Sequence, residues 1–291
     1  MNIKISEIFY SIQGEGKWMG VPSIFVRTFG CNFQCRGFGL PRGEKSSEPE
    51  RIADLVKENP ETYTSYDSLP LADTGCDSYA AWHPKFKKFS PTMSVDELVN
   101  KIKSLLPNGR WTQPNGQDVH LVITGGEPLL GWQRTYVELL QHDGLNDLRN
   151  LTFETNTTQT LNPSLVAFFE AQSKIHVTWS CSPKLSVSGE DWSEAINPNI
   201  AKSYFDMASG GGSSFYLKFV VSDLHDLDDV RRAVDAYQKA GVICPVYLMP
   251  VGGTPNSYKL NVQDVAELAM REGWRYSPRL QVDIWNNAWG T

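Results

Sequence analysis

Residues 119–129 read VHLVITGGEPL, and this stretch decides the fold. Val119 to Thr124 is a short run rich in β-branched and apolar residues, which predicts a buried strand. Gly125 and Gly126 let the backbone approach a ligand closely. Glu127 can bind an amine, and Pro128 stands where a following helix tolerates proline. Helical apolar spacing resumes from Trp132 to Gln141. A plain strand-to-helix turn accounts for the glycines, but Gly-Gly-Glu-Pro is much rarer than a lone Gly-x-Gly. The weight therefore falls on a functional strand end.

The same alternation runs outward on both sides. Strands are predicted at Ile3–Ile12, Ser23–Phe29, Leu151–Thr155, His176–Ser180, Phe215–Val221, Val242–Met249 and Leu280–Ile284. Between them, Ser94 with Glu97 is a capping box opening a helix through about Leu106. Pro163–Gln172, Asp226–Ala240 and Val262–Glu272 have helical spacing. Strand and helix in turn imply an α/β protein with a mainly parallel sheet, as a barrel or part-barrel, with its chemistry at the carboxyl ends of the strands. Residues 36–91 interrupt the pattern. They are rich in Pro, Gly, Ser and charge, with one plausible helix at Glu50–Lys57. That is too long for a bare connection, so it reads as a structured insertion or a functional loop. Ser209 to Ser214 reads as a flexible loop. No second domain is evident, so residues 1–291 read as one domain.

Composition narrows the function. The chain has 291 residues, 41% hydrophobic and 21% charged, which suits a globular protein and excludes collagenous or wholly disordered classes. Lys and Arg number 27 against 33 Asp and Glu, a net charge of -6 that argues against a general nucleic-acid surface. No apolar run is long enough to cross a bilayer, and Met1 to Ser11, with Lys4 and Glu7, has no apolar signal core. A cytoplasmic location without membrane partners is the expectation. Five cysteines, Cys31, Cys35, Cys76, Cys181 and Cys244, are odd in number and sparse, poor material for a disulfide framework. Cys31 and Cys35 leave the strand ending at Phe29 four residues apart. That spacing suits a metal or cluster corner, and equally a pair of structural thiols. Cys181 and Cys244 read as buried thiols. The five histidines show no metal spacing, and the nine tryptophans are scattered.

Taken together, Cys31, Cys35 and the Gly-Gly-Glu-Pro strand end resemble the radical S-adenosylmethionine (AdoMet) superfamily. Within it, the segments from Tyr10 to Gly16, Gly20 to Pro22, Phe25 to Arg27 and Gly30 to Asn32 resemble the start of the 7-carboxy-7-deazaguanine synthase (QueE) family. Glu154-Thr155-Asn156 and Ser182-Pro183-Lys184 are similar to that family's later motifs. The superfamily's usual Cys-x3-Cys-x2-Cys would put its third cysteine at Phe38, which cannot ligate iron. Cys76-Asp77-Ser78-Tyr79-Ala80-Ala81-Trp82 resembles the family stretch holding that cysteine. Residues 36–75 therefore read as an insertion in the cluster loop, with Cys76 as third ligand.

The resemblance implies a modified, incomplete (β/α) barrel. It implies a [4Fe–4S] cluster on Cys31, Cys35 and Cys76, with one iron left open for AdoMet. Gly125, Gly126, Glu127, Glu154, Asn156, Ser182, Pro183, Lys184, Met249, Pro250, Val251 and Gly252 would contact AdoMet. The family's substrate is 6-carboxy-5,6,7,8-tetrahydropterin, contracted to 7-carboxy-7-deazaguanine with loss of ammonia after hydrogen abstraction at C6. Ile12, Gln13, Gly14, Glu15, Arg27, Thr124, Gly126 and Gln281 would hold it, with Arg27 as the fork for its carboxylate. Gln281 stands where the family usually has His. Ser78 stands where the family has a magnesium-binding Thr. A homodimer and an electron donor such as flavodoxin or ferredoxin complete the implied set. Two other readings stand beside it: another radical AdoMet enzyme, such as a glycyl-radical activase, and a non-catalytic relative with zinc on the three cysteines.

Overall fold

The structure, a computed structural model, describes residues 1–171, 174–209 and 213–291. Among these residues nine strands form one sheet: β1 (Asn2–Ile12), β2 (Pro22–Thr28), β3 (Thr92–Ser94), β4 (His120–Gly125), β5 (Asn150–Thr155), β6 (His176–Cys181), β7 (Ser214–Val221), β8 (Val246–Pro250) and β9 (Arg275–Tyr276). Their spatial order is β3-β1-β2-β4-β5-β6-β7-β8-β9. β1 runs antiparallel to β2 and β3. From β2 onward every neighbouring pair is parallel. β3 and β9 are the two edges, so the sheet stays open. Residues of β1, β2, β4, β5, β7 and β8 nevertheless line one cavity, so the sheet curls around it as an incomplete barrel. The helices are α1 (Glu48–Glu58), α2 (Val95–Leu105), α3 (Gln133–Leu140), α4 (Pro163–Ala171), α5 (Trp192–Ala195), α6 (Pro198–Ser209), α7 (Leu227–Lys239), α8 (Pro255–Lys259), α9 (Val262–Glu272) and α10 (Leu280–Trp285). Among the described residues none is long and apolar enough to cross a membrane.

Strand parity separates packing from chemistry. Leu121, Ile123, Leu151, Phe153, Val177, Trp179, Leu217 and Phe219 belong to the large core shared with the helices. Phe153 stacks on Trp179 with ring centroids 5.1 Å apart, and Tyr204 from α6 closes on Trp179 at 4.8 Å. The residues of opposite parity, Thr124, Glu154, Lys218 and Val220, line the cavity instead. One run of strand sequence thus feeds two environments. The α2 start forms as expected: Ser94 Oγ accepts from the Glu97 amide at 3.2 Å, and Glu97 accepts from the Ser94 amide at 2.7 Å.

Some expectations are corrected. Leu280–Ile284, expected as a strand, lies within the helix α10. Five residues of alternating polarity fit either period, and Pro278 ends the edge strand β9 two residues after Tyr276. The strand expected from Val242 begins only at Val246, because Pro245 has no amide to give the ladder. α5, α6, α8 and the two edge strands were not expected. Of the loop expected at Ser209–Ser214, Ser209 ends α6 and Ser214 opens β7, while residues 210–212 lie outside the described residues, as does the helix end expected at Gln172.

Residues 36–91 are not a bare loop. Ile52, Ala53 and Val56 of α1 bury against Tyr66, Leu69, Ala72, Tyr79, Trp82 and Phe86 in a small core of their own. Arg42 ties this region to the residue preceding α7 through an ion pair with Asp226, 2.8 Å.

Candidate functional site

The cavity opens at the carboxyl ends of the parallel strands, and the loop leaving β1 at Gln13–Glu15 contributes to its lining. Cys31, Cys35 and Cys76 all line it. Cys35, Phe33 and Ala195 form a small apolar cluster against which Cys31, Cys76 and Phe38 pack. The chain therefore brings Cys76 to Cys31 and Cys35, from which it is distant in sequence. Burial pushes the Cys31 thiol up to about 12 and the Cys76 thiol up to about 11, and raises Cys35 as well. The Lys184 charge works against that rise at all three. Such thiols stay protonated until a metal displaces the proton. Among the described residues no three His, Cys, Asp or Glu side chains converge on a single ion. Ligands of one zinc would need sulfurs roughly 3.8 Å apart; a four-iron cube needs its thiolates further apart.

The loop carrying Cys31 and Cys35 is braced from a distance. Cys35 sits at φ +49, in the left-handed region. The amides of Gln34 and Cys35 both donate to Glu190 Oε1, at 2.9 and 2.6 Å. The Gly37 amide donates to the Ser188 carbonyl at 2.8 Å, and a Cβ on Gly37 would stand 2.6 Å from the Val187 carbonyl. Residues 187–190 are thus the other half of the cradle. Sequence reading missed Glu190, which follows Ser-Pro-Lys by only a few residues.

Of the residues expected to hold AdoMet, Gly125, Gly126, Glu154, Asn156, Ser182, Lys184, Met249, Pro250, Val251 and Gly252 line the cavity. Glu127 and Pro183 are not part of its lining. The Glu127 carboxylate is instead fully buried and accepts from the Asn156 amide at 2.6 Å, Thr155 Oγ1 at 2.8 Å and the Leu129 amide at 3.0 Å. Burial pushes it up to about 7 even so. It joins the end of β4 to the end of β5. The glycines also have a second reason beside the one expected. A Cβ on Gly125 would lie 2.6 Å from the Thr28 carbonyl, and one on Gly126 would lie 2.6 Å from the Gly30 carbonyl and 2.7 Å from Cys31 Cβ. They let this turn press against the start of the cluster loop. Asn156 Nδ2 donates to Asn32 Oδ1 at 3.0 Å, a further tie to that loop. Lys184 Nζ donates to the Ser182 carbonyl and hydroxyl at 3.0 and 3.2 Å.

All the expected substrate residues, Ile12, Gln13, Gly14, Glu15, Arg27, Thr124, Gly126 and Gln281, line the cavity. Glu15 is its electrostatic centre. Its carboxylate pairs with Lys218 and Arg279 (3.4 Å) and accepts from Gln281 Nε2 at 2.8 Å. Burial alone would raise it; Lys218 and Arg279 bring it down to about 2. Arg279 also pairs with Asp77 and donates to the Gly252 carbonyl. Gln281 Oε1 is buried without a hydrogen-bond partner among the described residues, packed against Gly14. A Cβ on Gly14 would collide with it at 1.9 Å. Gln13 Nε2 donates to Glu154 Oε1 at 3.1 Å. Arg27 is not a free fork: its Nε donates to Glu7 at 2.8 Å and its Nη1 to Ser78 Oγ at 3.2 Å. Burial opposes the Arg27 charge and Glu7 more than restores it. Lys218, Arg279, Asp77 and Glu7 were not picked out from sequence. Lys218 carried a signal, as the one charge inside an apolar strand, SFYLKFVV, and it is 4% exposed.

No protein-family profile matches the chain. Curated relatives do. The 7-carboxy-7-deazaguanine synthase of Halobacterium salinarum is 31% identical over 98% of this chain and 91% of its own length. That of Pyrobaculum aerophilum is 28% identical over 99% of this chain and 97% of its own. Among solved structures, QueE from Escherichia coli shares the fold with a TM-score of 0.55 at 19% identity, covering 96% of this chain and 94% of the other. Neither the activase reading nor the zinc reading finds support in these likenesses. The chain belongs to the 7-carboxy-7-deazaguanine synthase family.

Proposed function

We propose that the chain is a radical AdoMet lyase that converts 6-carboxy-5,6,7,8-tetrahydropterin to 7-carboxy-7-deazaguanine with release of ammonia. One observation carries the reading: Cys76 lines the same cavity as Cys31 and Cys35, beside a polar pocket built on Glu15, Lys218 and Arg279. Three thiols and no fourth in the lining suit a [4Fe–4S] cluster with one open corner. When bound, the cluster and AdoMet supply the radical that abstracts the substrate hydrogen.

The chain's own residues bind and orient. Cys31, Cys35 and Cys76 would give up their protons to hold the cluster, with Lys184 offsetting negative charge nearby. Gly125, Gly126, Ser182 and the strand end at Met249–Gly252 would hold AdoMet. Glu15, kept ionised by Lys218 and Arg279, would accept from the N–H edge of the pterin, with Gln281 Nε2 holding its carboxylate in place. Arg27, angled by Glu7, would face the carboxylate. Ser78 Oγ, with Asp77 beside it, would offer Mg²⁺ a single hydroxyl, in keeping with that ion's habit of retaining water. The same reading takes residues 1–291 as one domain with the insertion at 36–75. It adds a cytoplasmic setting, a homodimer and a flavodoxin- or ferredoxin-type electron donor.

The test is an anaerobic assay of cluster-loaded protein with 6-carboxytetrahydropterin, AdoMet, Mg²⁺ and a reductant. The deazapurine chromophore should appear together with 5′-deoxyadenosine. Loaded protein that forms neither refutes the reading.

A further inference from the structure

The small core of the insertion receives one residue from the far end of the chain. Trp289 Nε1 donates to the Leu69 carbonyl at 2.7 Å. Its ring meets Tyr66 edge-on, centroids 5.0 Å apart at 75°, and Tyr79 at 6.1 Å and 70°. On either side of this anchor the segment is tied to the cavity wall. Asn287 Nδ2 donates to the Gly253 carbonyl at 2.8 Å, and the Gly290 amide donates to Glu7 Oε1 at 3.1 Å. The other oxygen of Glu7 holds Arg27 Nε. Residues 287–291 all line the cavity. They follow α10 without regular structure, and such a segment frays unless something holds it. A tryptophan ring is the largest apolar anchor a chain can offer.

We infer that the insertion at 36–75 is the anchorage of a strap, with Trp289 as a positioning residue. Its small core grips Trp289, which fixes residues 287–291 as a wall of the substrate cavity. Through Gly290 and Glu7 it also fixes the angle at which Arg27 meets the substrate's carboxylate. The inference rests on the proposed function for the identity of that substrate. It gives the insertion a part in substrate binding beyond relocating a cysteine.

Tyr66 grips Trp289 from outside the cavity lining. Because its hydroxyl also lies near Glu7 and Arg27, Tyr66→Phe, which keeps the ring and drops the hydroxyl, is the control and should match wild type. Cluster-loaded full-length Tyr66→Ala, Trp289→Ala and Trp289→Phe proteins are compared with wild type. Tyr66→Ala and Trp289→Ala should raise KM for 6-carboxytetrahydropterin about tenfold, with kcat and KM for AdoMet nearly unchanged. Trp289→Phe, which keeps a ring but loses the bond to Leu69, should fall between. Binding of pterin-6-carboxylate should weaken more than binding of pterin itself, because the strap acts through Arg27. Amide exchange at 287–291 should quicken in Tyr66→Ala while the strands of the sheet keep their protection. An unchanged KM and unchanged exchange in Tyr66→Ala overturn the strap. Equal weakening for pterin with and without its carboxylate overturns the link to Arg27. Should Trp289→Ala lose its cluster, Tyr66→Ala and Trp289→Phe still decide. Turnover by wild type reports separately on the proposed function, and the exchange measurement stands whatever that turnover shows.

Discussion

The two largest hydrophobic cores among the described residues differ in kind. The larger one lies between the sheet and its helices, where Ile123, Phe153, Trp179, Leu217 and Phe219 present one strand face to α3, α4, α6 and α7. It is built by period-two alternation, and each strand adds its residues to the same layer. The smaller one gathers Ile52, Val56, Tyr66, Leu69, Tyr79, Trp82 and Phe86 around one short helix, with Cys31, Cys76 and Trp289 packed against its rim. It has no sheet and no repeating pattern. The large core decides that the chain folds; the small core decides where two of the three cysteines and the 287–291 segment stand. Chemistry in this molecule leans on its less regular half.

The sharpest way to break that contrast is at Cys76. Cys76→Ser should abolish bound iron and turnover. It should leave the unfolding midpoint of the iron-free protein close to wild type, because Cys76 sits on the rim of the small clusters and outside the large core. Iron analysis and a thermal melt check both halves. Full cluster loading in the variant would mean that the third ligand is elsewhere. A second comparison sets one truncation in each core. Phe153→Ala should cost about 3–5 kcal/mol of global stability, and Ile52→Ala about 2–5 kcal/mol of local stability. Amide exchange distinguishes them. Phe153→Ala should loosen the whole sheet, and Ile52→Ala only residues near 48–86 and 287–291. Uniform loosening from Ile52→Ala would make the two cores one cooperative unit.

The same division explains what was legible in the sequence. β4 to β7 could be read because each is a short run rich in β-branched or aromatic residues with one continuous apolar face, and α2 because Ser94 and Glu97 carry the capping pattern. That Cys76 joins Cys31 and Cys35 could be read from its neighbours, Asp77 to Trp82. α10 could not, since Leu280–Ile284 fits two periods and only packing decides between them. Glu7, Asp77 and Arg279 could not, because each owes its place to a partner far along the chain, and no local pattern announces a charge that will be buried in a pair. Lys218 is the instructive middle case: its parity in β7 aims it inward, and a lone lysine at an inward position must meet a carboxylate. Glu127 misled in the other direction. Beside two glycines it looks like a ligand to an amine, and its carboxylate is instead consumed by the ends of β4 and β5.

Glu190 offers a smaller, sharper test of how the cluster loop is held. Glu190→Ala removes the acceptor for two amides and should leave Cys35 unsupported in its left-handed conformation. Iron should then be lost to a chelator several-fold faster than from wild type. Glu190→Gln keeps an oxygen in the same place and should restore most of the retention. The rate of bleaching of the cluster absorbance reads the effect. If Gln fails as badly as Ala, the negative charge matters and the hydrogen-bond geometry does not.

The smallest expected effect lies beneath the cavity, at the start of the parallel strands. There Trp18 packs edge-on against His120, 4.6 Å between centroids, and against His176 at 5.9 Å, while its Nε1 donates to Thr178 Oγ1 at 2.9 Å. His120 is buried, and its Nδ1 has no partner among the described residues. Burial brings its pKa down to about 4, with Asp118 only partly opposing the shift. The unfolded chain binds that proton at about pH 6.5. Protonation therefore favours unfolding, and the stability His120 contributes is complete above pH 6.5 and is lost as pH falls through 4. Wild type should lose denaturant resistance more steeply than His120→Gln between those two values, and the two curves should run parallel above them. Parallel curves throughout would mean that the ring is solvated and that Trp18 does not seal this end. The pair of measurements would then place the weak point of the barrel at its floor, and the insertion would no longer be the region most open to perturbation.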